Sequence, residues 1–186
     1  MKKLLIFLLF SVFLIIGCNQ ESEITSPVDT GSNKQLKLIS LPLPSSGFAV
    51  ESQTFTKWIN GDNGGEFYSE YSYQSNSGTV GQFSTLDFNP GAFIGWKNIL
   101  QTFNTGGAAM EFGPSMQFQA DVEYTYEITG VDLSGVNPNT LDFVYIDANG
   151  NMYPVQYESV SMNINTGSLK VVDAVIPHFS RYGFVN

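Results

Sequence analysis

A nucleophilic hydroxyl needs a base within reach, and this chain has a single histidine to offer. His178 stands two residues from Ser180, a spacing that on a strand puts both side chains on one face. No Gly-x-Ser-x-Gly elbow accompanies them, and a histidine beside Phe179 and near Tyr182 reads as structural, so no catalytic residue is expected. The loop Asp147-Ala148-Asn149-Gly150-Asn151 sets oxygen donors at alternate positions, with a glycine to turn the chain and Glu158 twelfth counting from Asp147. That is the spacing of a calcium loop. Strand-like runs rather than helices flank it, so Asp147, Asn149 and Asn151 are read as a hairpin turn, with Asp62 and Asn63 a second oxygen-rich loop of the same kind. A third kind of chemistry is stacking. Trp58, Tyr68, Tyr71 and Trp96 could form a platform for the apolar faces of sugar rings, since flat rings with polar edges suit such ligands. Tyr68 shares its face with Glu70 and Ser72 and is expected at the surface. Tyr124 and Tyr126 alternate with charged residues and are expected in the core. No phosphate-cradling glycine loop and no His/Cys cluster is present, so no cofactor and no metal are expected.

The remaining reactive group is Cys18, the only cysteine. It follows Met1-Lys2-Lys3, an apolar run from Leu4 to Ile16 broken by Ser11, and then Gly17. Two lysines, a short apolar stretch and a small residue are the features of a secretory signal peptide, and the run is shorter than the roughly 20 apolar residues of a membrane span. Ile15-Ile16-Gly17-Cys18 resembles a bacterial lipobox. The resemblance implies that Cys18 is diacylated, becomes the first residue of the mature chain and anchors it to a lipid bilayer. Stable anchoring takes two or more acyl chains, each buried methylene contributing about 0.8 kcal/mol. Asn19 after the cysteine, by the same resemblance, favours the outer membrane.

Removing 17 of 186 residues leaves 169, an ordinary single-domain length. Without Lys2 and Lys3 the remaining 6 basic and 17 acidic side chains leave a net charge of −11. That balance argues against nucleic acid and against electrostatic docking on anionic lipid, both of which need basic patches. With Cys18 acylated no disulfide can form, and the fold must rest on its apolar core.

The elements that must position these residues are strands. Phe and Tyr abound, with 15 and 9 copies, and 18 glycines supply turns. Residues 19–33 are polar and read as a flexible tether. From Lys34, Leu36, Leu38, Ile39 and Leu41 suggest a first strand. Short alternating runs follow: Phe55 to Ile59, Phe67 to Tyr73, Gln82 to Phe88, Asn98 to Phe103, and the pair Met110 to Phe112 and Met116 to Phe118 around Gly113-Pro114. Val122 to Ile128 alternates most cleanly, with Val122, Tyr124, Tyr126 and Ile128 on one face. Two hairpins follow, Leu141 to Ile146 with Met152 to Tyr157, and Ser159 to Ile164 with Ser168 to Ile176. Pro154 confines its strand to an edge or a bulge, and the stretch from His178 to Val185 closes the chain. About ten to twelve strands separated by turn signals predict an all-β antiparallel sandwich over residues 34–186.

Three segments in order, Gly64-Gly65, Leu86-Asp87-Phe88-Asn89-Pro90-Gly91-Ala92-Phe93 and Phe112-Gly113-Pro114-Ser115-Met116-Gln117-Phe118, resemble the ZU-type domain of ankyrins, netrin receptors and tight-junction scaffold proteins. The resemblance spans roughly residues 57–130. His178-Phe179-Ser180-Arg181-Tyr182 is similar to an ending that recurs in bacterial envelope proteins of this kind. It implies a β-sandwich that binds other proteins or supports neighbouring domains, without catalysis. The expectation is therefore a lipid-anchored, non-catalytic envelope module that binds a protein partner or serves as a structural part of the envelope. The alternatives are a glycan-binding or adhesive surface lipoprotein and, from another class, a glycoside hydrolase or other hydrolase with two convergent carboxylates.

Overall fold

The computed structural model describes residues 36–46 and 52–186; Cys18, the signal peptide and the tether lie outside these. Eleven strands are present among the described residues: β1 (Ser52–Asn60), β2 (Gly65–Ser75), β3 (Gly78–Phe88), β4 (Trp96–Asn104), β5 (Ala109–Gly113), β6 (Val122–Thr129), β7 (Asp142–Ile146), β8 (Met152–Pro154), β9 (Ser159–Asn163), β10 (Ser168–Val175) and β11 (Arg181–Val185). They form two sheets, β1-β4-β5-β11-β7-β8 and β2-β3-β6-β10-β9, antiparallel throughout. This is a β-sandwich.

Alternation decides which side chains meet between the sheets. On β6, Val122, Tyr124, Tyr126 and Ile128 are fully buried while Glu123, Thr125 and Glu127 face out. Phe112 and Tyr124 meet edge to face at 4.9 Å, and Phe118 and Phe179 at 4.8 Å, the offset geometry aromatic rings prefer. The core also holds polar side chains, most of them bonded across it, although the Nε2 of Gln82 has no partner. Gln101 of β4 accepts hydrogen bonds from Ser69 (2.8 Å) and Ser84, and donates to the Phe67 carbonyl at 2.8 Å. These bonds cross from one sheet to the other and fix their relative register.

Three expectations are corrected. Leu36 to Leu41 forms no strand: it makes an isolated bridge, Leu38 to Val185, and Ile39 bonds Phe184 and Ala108, the latter just ahead of β5. Met116 to Phe118 likewise makes only the bridge Gln117 to His178. His178 and Ser180 lie ahead of β11 rather than on it, so the strand spacing that would align them is absent. Pro154 does sit on an edge strand, where its missing N–H leaves no ladder bond unmade.

Candidate functional site

Strands β1 and β4 pair over nine residues, from Ser52 opposite Asn104 to Asn60 opposite Trp96. Ile59, Ile99, Gln101 and Phe103 point into the core. The other parity faces solvent: Ser52, Thr54, Thr56, Trp58 and Asn60 on β1, and Trp96, Asn98, Leu100, Thr102 and Asn104 on β4. None of these ten carries a charge. Trp58 stands opposite Asn98 and Trp96 opposite Asn60, so the two indoles are diagonal neighbours on one face. They are the only tryptophans in the chain. At 63% and 64% exposure they lie open to solvent, and Ile94, 72% exposed, stands in the loop that enters β4.

The backbone beneath the indoles is held by its own loops. Gly61 N–H donates to the Gly95 carbonyl at 2.9 Å, Gly91 N–H to the Gly61 carbonyl at 2.8 Å, and Gly95 N–H to the Asp62 carboxylate at 3.1 Å. A Cβ on Gly61 would stand 2.1 Å from the Phe93 carbonyl oxygen, so the two loops touch backbone to backbone. Between the tryptophans, Asn98 has a buried Oδ1 with no hydrogen-bond partner. Lys57, of the inward parity, reaches sideways, and its Nζ donates to the Glu66 carbonyl of β2 at 2.7 Å.

The expected four-ring platform divides. Tyr68 is on β2, in the other sheet, facing out at 49% exposure with its hydroxyl donating to Glu70 at 2.6 Å. That bond to a carboxylate holds the phenol above its ordinary pKa. Tyr71, three residues on and so of opposite parity, packs between the sheets beside Tyr73 at 5.9 Å and Phe103 at 6.1 Å. Only Trp58 and Trp96 come together.

The outer face of the second sheet is of opposite character. Glu66 lies opposite Asp87, and Asp87 opposite Glu123, three carboxylates abreast on β2, β3 and β6. Glu70 and Glu127 flank Phe83 in the next row but one, with Lys170 on Glu127 at 3.3 Å.

The Asp147 loop is occupied by its own donors. Asp147 accepts from the Asn149 and Asn151 N–H groups and from the Asn151 side chain, each at 2.8 Å. These bonds, the Asn151 side chain first among them, hold the carboxyl below its ordinary pKa. Asn149 and Asn151 thus serve the turn. Among the described residues no cluster of three His, Cys, Asp or Glu side chains is placed to hold a metal.

A cleft that no motif announces opens in the sandwich between β7–β8 and the end of β10. It has a volume of about 280 Å³ and is lined by Tyr145, Val155, Val175, Pro177 and His178 among others. His178 meets Tyr145 edge to face at 4.7 Å, and Tyr182 donates to the His178 carbonyl at 2.8 Å. Burial pushes the Tyr182 phenol well up, and no hydrogen bond joins His178 to Ser180 among the described residues. The histidine forms part of the wall of this cleft, packed on Tyr145.

No family model, curated protein or solved structure matches this chain.

Proposed function

We propose that the protein is a lipid-anchored, non-catalytic binding module of the bacterial envelope, and that the Trp58–Trp96 face of β1 and β4 is its binding face. The observation that carries the reading is the exposure of both tryptophans, side by side, on a sheet face free of charge. Trp is the residue type most enriched where truncation costs binding energy. Two adjacent exposed indoles, on strands whose loops are tied together, favour a preformed contact surface. The anchor comes from the lipobox-like Ile15-Ile16-Gly17-Cys18, and the ZU-type resemblance supports a binding role without chemistry.

The experiment has two arms. Cys18→Ala should abolish lipid labelling and release the protein from membranes, and unchanged retention would defeat the anchor. A photoreactive phenylalanine at Thr56, on the same outward face as Trp58, should crosslink to an envelope component in intact cells, and the adduct should vanish when Trp58→Ala and Trp96→Ala are combined. An adduct indifferent to the tryptophans would remove this face from the account.

A further inference from the structure

We infer that the ligand of the Trp58–Trp96 face is an uncharged polysaccharide, lying with its sugar rings flat on the indoles. The inference rests on the reading that this is the binding face, and it adds the chemical class of what binds there.

Charge is the first argument. Ten successive outward positions of β1 and β4 hold no ionisable side chain, although the chain carries 17 acidic and 8 basic residues. An ionic polymer docking here would give up hydration and find no counter-charge on the face in return. An anionic one would in addition meet the repulsion of a net −11 once Lys2 and Lys3 are removed with the signal peptide. A neutral ligand loses nothing by this arrangement.

Shape and hydrogen bonding narrow the class further. The apolar groups of the face, two indoles and the half-buried Leu100, are set among Thr54, Thr56, Asn60, Asn98 and Thr102. A pyranose ring has the matching pattern, with C–H groups on its faces and hydroxyls around its edge. Its faces bury against indole, and its edge meets amides and hydroxyls that can each donate and accept.

The same face is poorly made for a protein. A stable protein interface removes about 800 Å² per partner around a continuous apolar centre. Addition of a strand to the β1 edge would have to contend with Lys57, whose ammonium is turned toward β2 and bonded to the Glu66 carbonyl. A lysine at such a place is a known device against edge pairing. The cross-bonded loops at 61, 91 and 95 also hold the backbone that carries the indoles, which lowers the part of the ordering cost that falls on the main chain.

The test is affinity electrophoresis of the full chain carrying Cys18→Ala, in gels containing hydroxyethylcellulose, galactomannan, laminarin or dextran, with alginate as the anionic control. At least one neutral polymer should retard migration and alginate should not. Trp58→Ala and Trp96→Ala should each weaken the retardation about tenfold, the loss typical of a stacked anchor residue, and the double variant should abolish it. Both variants should melt at the wild-type temperature, which separates lost binding from lost folding. The Thr56 crosslink supplies the second readout: the adduct peptide should carry mass increments of hexose or pentose even if the natural polymer is none of the four. A tryptophan-dependent adduct that proves to be a peptide overturns the glycan inference and leaves the binding face standing. Tryptophan-dependent retardation by alginate equal to that by neutral polymers overturns the neutrality argument. Absence of both adduct and retardation defeats the inference and the reading beneath it together.

Discussion

Single residues in this domain show their roles through their hydrogen-bond partners. Gln101 is fully buried and serves Ser69, Ser84 and the Phe67 carbonyl at once. Gln101→Ala should therefore cost about 2–4 kcal/mol, as a cavity plus hydroxyls left without a partner, read as a lowered urea midpoint with unchanged slope. The buried phenols give a pH prediction. Burial raises Tyr73 and Tyr157 to about 12, with the Asp142 carboxylate contributing at Tyr157. An unfolded tyrosine ionises near pH 10. Their contribution is thus complete below pH 10 and is lost as pH rises from about 10 to 12, because the unfolded chain releases its protons first. A phenolate absorbance titration should show these two ionising late, and the melting temperature should fall across that window. A plain titration of all tyrosines near pH 10 would contradict the packing. Asp147 works in the opposite direction. Its carboxyl, held low by the loop, stabilises the turn above the unfolded carboxylate range and ceases to do so as pH falls through its folded value. A carboxyl carbon titration by NMR should put its midpoint below the ordinary value of about 3.9.

At the scale of elements, local alternation was enough to find most strands and not enough to find their neighbours. Phe67 to Tyr73 and Val122 to Ile128 could be read directly because burial on one face leaves a period of two. The same parity already separates Tyr68 from Tyr71, three residues apart, so the divided platform was legible in the sequence. That Trp58 and Trp96 meet was not. Their contact depends on β1 passing over the whole β2–β3 hairpin to pair with β4, a long-range choice that no local pattern encodes. Leu36 to Leu41 misled for the converse reason: its apolar residues are genuinely needed, Ile39 and Leu41 being buried, but they fill a place beside β11 with only isolated ladder contacts. The cleft at His178 belongs to the packing of strand ends and leaves no periodic trace. Turns carry the firmest element-level prediction. Gly64 has φ of 73°, and a Cβ there would stand 2.2 Å from the Phe88 carbonyl oxygen. Gly64→Ala should cost more than about 2 kcal/mol. In the other sheet Asp87 lies between Glu66 and Glu123, and like charges directly opposite one another destabilise a ladder. Asp87→Asn should raise stability by about 0.2–1 kcal/mol in low salt, with the gain shrinking as salt is added; a loss of stability would show that the carboxylate row is not repulsive.

For the whole domain the two outer faces divide the work. The face of β2, β3 and β6 carries rows of carboxylates that favour solubility, and the face of β1 and β4 is neutral and bears both tryptophans. This asymmetry is invisible in the net charge, because it depends on which strands share a sheet. It also makes the central claim directly measurable, since every tryptophan photon from this protein originates at the proposed binding face. The decisive measurement is acrylamide quenching of intrinsic tryptophan fluorescence, with and without the envelope fraction of the cells that carry the protein. The free domain should show the red-shifted, readily quenched emission of water-exposed indoles. With the envelope fraction the emission should shift to the blue and lose most of its quenching. A free domain with shielded tryptophans, or emission and quenching unchanged by the envelope fraction, would contradict the account.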